Sequence, residues 1–130
     1  MTVKSEKLMS AVRAALRKRF PTANELTYDY GHSFVISYSP TENGIDGIVA
    51  LSARAGGVFL YFNQGPKLSD PEKILQGSGK QTRFIPLETA RRLEDPDVKA
   101  FIAATVKHAK IPFPSKGKGS VIVKTRKAAK

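Results

Sequence analysis

A chain of 130 residues, with 41% hydrophobic and 25% charged side chains, has the length and composition of one globular domain. It contains no cysteine, which excludes disulfide bonds, thiolate metal sites and thiol nucleophiles. Its net charge of +11 is concentrated at the two ends, with +5 in residues 1–20 and +8 in residues 107–130.

The first predicted element is an amphipathic helix over residues 3–20. Its apolar residues recur at spacings of three and four, which puts them on one side of the helix: Leu8, Met9, Val12, Leu16 and Phe20. We expect Thr2 to cap this helix and Pro21 to end it. Arg13 and Arg17 fall on the other side, which predicts a solvated basic face.

Four strands are predicted next, because this region is rich in β-branched and aromatic residues and is divided into short runs by turn-forming residues. Their expected ranges are 26–30, 34–39, 48–54 and 58–63. Gly56 and Gly57 supply the positive φ angles of a tight hairpin, so the third and fourth strands should pair antiparallel. Tyr61 is expected on the side of the fourth strand away from the core, where it would form a pocket wall.

A short helix and a fifth strand are predicted after this hairpin. Asp70 followed by Pro71 is a helix-start signal, and the helix is expected to end near Leu75. A glycine-rich loop follows at residues 76–80, and residues 82–87 read as a strand.

The C-terminal part is predicted to hold a second long helix and a tail. Asp95 and Pro96 repeat the start signal, and the inward side is expected to carry Val98, Phe101, Ile102, Thr105, Val106 and Ala109. Residues 115–130 have too few apolar side chains to offset an ordering cost of about 1–2 kcal/mol per residue, so we expect a disordered basic tail. The predicted fold is therefore an α+β domain over residues 1–114, a small antiparallel sheet of about five strands covered by an N-terminal and a C-terminal helix.

Four segments of the chain carry a resemblance to a known family. They read Asn-Gln-Gly-Pro-Lys-Leu at 63–68, Asp-Pro-Glu at 70–72, Leu-Gln-Gly-Ser-Gly-Lys at 75–80 and Arg-Phe-Ile-Pro-Leu at 83–87. This order resembles the YdhG-like domain family, a family of unknown function, most strongly over residues 49–93. The resemblance implies a small antiparallel sheet covered by helices. Because some relatives are described as frataxin-like iron chaperones, it also implies iron binding at carboxylates such as Asp70, Glu72, Asp95 and Asp97.

The Gly-Ser-Gly-Lys motif at residues 77–80 is the leading candidate for a binding site. Two glycines let backbone N–H groups converge on an anion, and the lysine adds charge. It is not a Walker A loop, because Ile74 and Gln81 stand where that motif needs a glycine and a hydroxyl residue. A plain tight turn is the competing interpretation. The expected anion-binding face consists of Tyr61, Gly77, Ser78, Gly79, Lys80 and Arg83.

Two other constellations are weaker. Asp29, Tyr30 and His32 lie at a predicted corner between strands, where they form either a proton-transfer group or an ordinary turn. His32 and His108 are the only histidines and lack metal-ligand spacing. We therefore expect no cofactor, no transition-metal site and no catalytic residue.

The basic tail and the absence of an apolar run long enough to span a membrane suggest a partner and a cellular location. The tail is suited to nonspecific nucleic-acid binding by counterion release, through Lys116, Lys118, Lys124, Arg126 and Lys127. No export signal or run of about 18 apolar residues is present, so a cytoplasmic location without membrane contact is expected. The sequence favours a noncatalytic binding module for an anionic small molecule or acidic partner. Iron chaperoning and nonspecific nucleic-acid binding are the alternatives.

Overall fold

The computed structural model describes residues 3–125, which form two helices and a six-stranded mixed sheet. The helices are α1 (Val3–Arg19) and α2 (Pro96–His108). The strands are β1 (Asn24–Asp29), β2 (Ser33–Ser39), β3 (Val49–Arg54), β4 (Gly57–Asn63), β5 (Thr82–Leu87) and β6 (Val121–Thr125). Their order across the sheet is β5-β4-β3-β2-β1-β6, and only β1 and β6 pair in parallel.

Both helices pack on one face of the sheet and form the core there. Strand β4 alternates strictly between buried and half-buried positions, as expected when one face of a sheet is covered. The apolar residues of α1 and α2 that fill this core are Met9, Val12, Leu16, Val98, Phe101 and Ile102. We call the opposite side the open face, defined by the strand positions that point away from the helices. Its larger side chains are Leu26, Tyr28, Val35, Arg54, Phe59, Tyr61 and Phe84. The β2–β3 connection lies against part of this face, with Gly44 at Tyr28 and Gly47 at Ser37, and Leu26 is fully buried.

The first five strands lie close to their predicted ranges, and β5 matches its prediction residue for residue. The turn between β3 and β4 has φ values of 95° at Gly56 and 130° at Gly57. Only glycine adopts such angles without strain, so the predicted hairpin forms there, and β3 and β4 pair antiparallel.

The prediction of a disordered tail is wrong for the segment that forms β6. The backbone N–H of Gly119 donates to the carbonyl of Pro21 at 3.0 Å, and that of Glu25 donates to Ser120 at 2.8 Å. Val121 and Val123 remain half exposed, so backbone pairing with the free edge of β1, more than side-chain burial, holds this strand. Arg126 and Lys127 of the predicted tail lie outside the described residues.

The predicted short helix after Asp70 is also wrong. The Asp70 carboxylate accepts the backbone N–H of Ile74 at 2.9 Å and of Leu75 at 2.8 Å, as a helix cap would. However, Lys73 has a φ of 57°, in the left-handed region that ends a right-handed helix before it completes a turn. The segment is therefore a turn stabilised by one carboxylate.

The solvated basic face predicted for α1 requires correction as well. Arg13 and Arg17 reach back to the sheet and pair with Glu25, at 3.0 Å and 3.4 Å respectively. Their long side chains span the distance from the side of the helix to the start of β1. The expected cap, Thr2, lies outside the described residues. No helix within residues 3–125 is long and apolar enough to cross a membrane.

Candidate functional site

Two of the predicted site residues, Tyr61 and Gly77, lie together on the open face. Tyr61 pairs with Phe84 across β4 and β5, and their rings stack with centroids 4.9 Å apart. Gly77 has a φ of 103° and lies against the Phe84 ring, where a Cβ atom would come within 3.4 Å. Gln76 forms a backbone bridge with Phe84. This part of the loop is thus a turn packed along β5.

Arg83, predicted as part of the anion-binding face, contacts the backbone of the glycine-rich loop. Its guanidinium donates to the carbonyl oxygens of Gly79 and Thr82, the latter at 2.8 Å. One nitrogen of its guanidinium thus holds the loop to the start of β5. Ser78, Gly79 and Lys80 are exposed.

Lys80 lines a groove at the end of the sheet together with two lysines that the sequence analysis did not select. Lys67 comes from the 3₁₀ turn Gly65–Lys67, and Lys110 follows the end of α2. The groove encloses about 530 Å³ and is lined by Ile45, Asp46, Ile48, Asn63, Gln64, Lys67, Lys80, Gln81, Thr105, Ala109, Lys110 and Ile111. We call it the lysine groove.

Asn63, the last residue of β4, holds the walls of this groove together. Its side-chain amide donates to the carbonyl of Gly47 at 2.8 Å, and its amide oxygen accepts the N–H of Gln64 at 2.9 Å. Its backbone carbonyl accepts the hydroxyl of Thr105 from α2. One residue therefore ties together the β2–β3 connection, the turn after β4 and the C-terminal half of α2.

The segments that carry Lys67 and Lys80 are also fixed to each other. The N–H of Gly65 donates to the carbonyl of Gln81 at 2.9 Å. Gln64 adopts a left-handed φ of 57°, which turns the chain into the 3₁₀ segment. Two lysines that are 13 positions apart in the sequence are thus held by one set of backbone hydrogen bonds.

The charges in the lysine groove are unbalanced. Within residues 3–125, no carboxylate lies within 4.0 Å of the ammonium of Lys67, Lys80 or Lys110. Asp46, the one carboxylate in the lining, accepts the hydroxyl of Thr41 at 2.7 Å. The groove is therefore cationic, and a bound anion would reduce the repulsion between the lysines.

A second groove, of about 840 Å³, lies between β5 and the start of α2 and carries both signs of charge. Arg92 donates there to Asp95 at 2.7 Å and to Asp97 at 2.8 Å and 3.0 Å. The hydrogen bonds from Arg92 lower the pKa of Asp97, and those carboxylates raise the pKa of Arg92. Its lining holds three carboxylates, Glu88, Glu94 and Asp95, against two arginines, Arg91 and Arg92, so this groove is less suited to anions than the lysine groove.

The carboxylates implied for iron do not form a cluster. Asp95 and Asp97 are engaged by Arg92, and the Asp70 carboxylate accepts two backbone N–H groups. Over residues 3–125, no three His, Asp or Glu side chains come together in a way that would hold a metal ion.

The corner after β1 carries Asp29, Tyr30 and His32, for which the sequence allowed either a proton-transfer group or an ordinary turn. It forms an ordinary turn. The carboxylate of Asp29 accepts the N–H of Gly31 at 2.9 Å, the arrangement of an Asx turn. His32 is exposed in this turn, and His108 is exposed in the last turn of α2.

The most deeply buried carboxylate of the described chain is one that the sequence analysis did not select. Glu25 is only 3% exposed, accepts two hydrogen bonds of 3.0 Å from Arg13 and accepts one of 2.8 Å from Tyr38. Burial, followed by the negative charge of Glu25, raises the pKa of Tyr38. All donors come from α1 and β2, so this cluster fastens the first helix to the sheet.

Comparison with protein-family models, with curated proteins and with solved structures gave no match. The resemblance to the YdhG-like family therefore stays a prediction.

Proposed function

We propose that this protein is a noncatalytic binding module whose ligand is an anionic small molecule held in the lysine groove. The observation that carries the proposal is that Lys67, Lys80 and Lys110 line one groove and that none of them makes an ion pair with a carboxylate among residues 3–125. Lysines that face one groove repel each other, and an anion between them replaces that repulsion by attraction.

The size and lining of the groove support a small ligand. Its volume of about 530 Å³ lies within the range of roughly 300–1,000 Å³ that is usual for small-molecule sites. Gln64 and Gln81 add side-chain amides to the lining, and these can donate hydrogen bonds to an anion. Three separate positive charges favour a ligand with several negative charges, such as a pyrophosphate or a polyphosphate ester.

The lining favours binding over catalysis. Its one hydroxyl belongs to Thr105 and already donates to the backbone carbonyl of Asn63. Its one carboxylate, Asp46, accepts a hydrogen bond from Thr41. No nucleophile paired with a general base therefore faces the groove.

The test is calorimetric titration of the full chain with inorganic pyrophosphate and, separately, with a nucleoside triphosphate. A variant carrying Lys67→Gln, Lys80→Gln and Lys110→Gln should bind at least about tenfold more weakly, because it lacks the charged hydrogen-bond donors. The matched control carries Lys4→Gln, Lys7→Gln and Lys18→Gln, which removes the same charge from the exposed side of α1.

Two results would overturn the proposal. One is the absence of saturable binding of either anion to the unaltered chain. The other is an equal loss of affinity in both triple variants, which would show that net charge, and not the groove, attracts the anion.

A further inference from the structure

The open face of the sheet is a second surface whose charge is unbalanced. The described strands contain two carboxylates, Glu25 and Asp29, and both alternate onto the helix side, in register with Tyr38 and Phe34. At the paired open-face positions of the strands the charged side chain is Arg54. Lys124 lies at the register shift between β1 and β6, and its ammonium donates to the backbone carbonyl of Glu42 at 2.9 Å. This face therefore offers positive charge without a neutralising carboxylate on the strands.

Three aromatic rings lie next to each other at the β4–β5 end of this face. Tyr61 and Phe84 stack, and Phe59 meets the edge of Phe84 with ring centroids 5.9 Å apart. All three side chains are only partly buried. No helix covers them, because α1 and α2 both pack on the other face of the sheet.

The guanidinium of Arg54 lies over these rings. Its guanidinium carbon is 3.9 Å from the centroid of the Phe59 ring, and one of its nitrogens donates to the hydroxyl of Tyr61 at 3.2 Å. Arg54 is exposed and makes no ion pair with the described carboxylates. A guanidinium held on an aromatic ring presents its other side for stacking and its remaining N–H groups for a phosphate.

A second aromatic pair stands on the same face at the far side of the sheet. The rings of Tyr28 and Tyr30 are nearly parallel, with centroids 6.1 Å apart and an interplanar angle of 7°, and Tyr30 is 45% exposed. The pairing register aligns Tyr28, Val35, Ser52 and Phe59 in one row across β1 to β4. With strands about 4.8 Å apart, the two aromatic groups are separated by roughly 14 Å over a floor of small side chains.

From this arrangement we infer that the open face binds single-stranded nucleic acid. Unstacked bases pack on Tyr30 at one side and on Arg54, Tyr61 and Phe84 at the other, and the intervening phosphates face Arg54. Aromatic rings and arginine planes on an uncovered sheet are the groups that bind splayed bases. The net charge of +11 attracts a polyanion over a distance. An apolar protein surface fits less well, because it would bury Arg54 without a counter-charge.

The experiment is fluorescence anisotropy of the full chain with labelled homopolymers of deoxythymidine and of uridine, and with a duplex of the same length. Saturable binding of a single strand, tighter than that of the duplex, is expected, because duplex bases cannot stack on a protein ring. If the uridine homopolymer binds more tightly than the deoxythymidine homopolymer, the natural ligand is RNA. If it binds more weakly, the ligand is single-stranded DNA, and equal binding means that the face accepts both. No saturable binding, or equal binding of the duplex, would overturn the inference.

Two pairs of variants separate base stacking from net charge and from folding. Phe84→Leu should weaken single-strand binding roughly tenfold, whereas Phe34→Leu, a half-buried ring on the helix side, should not. Arg54→Gln should weaken single-strand binding several-fold, whereas Arg19→Gln should not. Arg19 is a matched control because its guanidinium carbon also lies over an aromatic ring, 5.8 Å from the centroid of Phe20. Equal effects within either pair would overturn the inference. Pyrophosphate affinity should stay unchanged in all four, which keeps this test distinct from that of the lysine groove.

Discussion

The hydroxyl of Tyr38 donates to Oε2 of Glu25 at 2.8 Å, and the two residues are direct cross-strand partners on β1 and β2. Arg13 approaches the same carboxylate from α1 and donates to both of its oxygens. Helix α1 and the first two strands therefore meet at one buried charge. Such a charge stabilises a fold only while its donors are in place, because an unpaired buried carboxylate is costly.

Replacement of Glu25 by glutamine should lower the free energy of unfolding by about 2 kcal/mol. The amide has one acceptor oxygen in place of two, so either Tyr38 or Arg13 loses its acceptor and the charge attraction disappears. Urea denaturation measures the change. The control is Glu88→Gln, at an exposed carboxylate that has no ion pair within residues 3–125, which should stay within about 0.5 kcal/mol of the unaltered chain. Equal stability of the two variants would contradict this role for Glu25.

Alkaline pH should destabilise the protein through Tyr38. Its pKa is raised above the ordinary value of 10.0, first by burial and then by the charge of Glu25. Below pH 10 both folded and unfolded chains keep the phenolic proton, and the full stability is present. Above pH 10 the unfolded chain loses this proton first, so the free energy of unfolding should fall by up to about 1.4 kcal/mol per pH unit for this group.

The variant Tyr38→Phe isolates this effect from other groups that titrate in the same range. At neutral pH it should be about 1 kcal/mol less stable, because one buried hydrogen bond is lost. Above pH 10 its stability should fall less steeply than that of the unaltered chain, as measured by urea denaturation at several pH values. Parallel pH profiles for the two proteins would disprove the assignment to Tyr38.

Gly119 should be indispensable for the docking of β6. A Cβ atom there would lie 1.7 Å from the carbonyl oxygen of Ala23. This is a backbone atom, so the clash cannot be relieved by a change of side-chain rotamer. We expect Gly119→Ala to cost about 1–3 kcal/mol and to displace the strand. The amide of Glu25, which donates to Ser120, should then exchange with solvent faster. Ser120→Ala preserves the backbone contacts and should leave that exchange unchanged; equally fast exchange in both variants would argue against the steric explanation.

The first five strands could be predicted from the sequence because each is marked by its own residues and by the turns that flank it. In β4, five consecutive apolar or aromatic residues at 58–62 follow the turn that Gly56 and Gly57 mark. Strand β6 was missed for the opposite reason. It has three consecutive apolar residues among lysines and glycines, and its partner β1 lies at the other end of the chain. Composition gives no sign of such long-range pairing.

The candidate site could be predicted only in part from the sequence, for a similar reason. Lys80 stands in a recognisable glycine-rich motif, whereas Lys67 and Lys110 lie in segments that have no motif of their own. They are brought to the groove by the hydrogen bonds of Asn63 and by the position of α2. The interaction of Arg13 with Glu25 was missed because helical periodicity gives the side of a residue but not the reach of its side chain.

The two interpretations of the Gly-Ser-Gly-Lys loop predict different results for its two glycines. Gly77 has a φ of 103° and lies beside the Phe84 ring, whereas Gly79 has open space around its Cα and no left-handed φ. If the glycines serve the turn, Gly77→Ala should cost about 1–2 kcal/mol of stability and Gly79→Ala much less. Neither should change pyrophosphate affinity, since the side chains of Lys67, Lys80 and Lys110 define the groove. If backbone N–H groups of the loop bind the anion instead, calorimetry should show weaker pyrophosphate binding in both variants, including the one that keeps its stability.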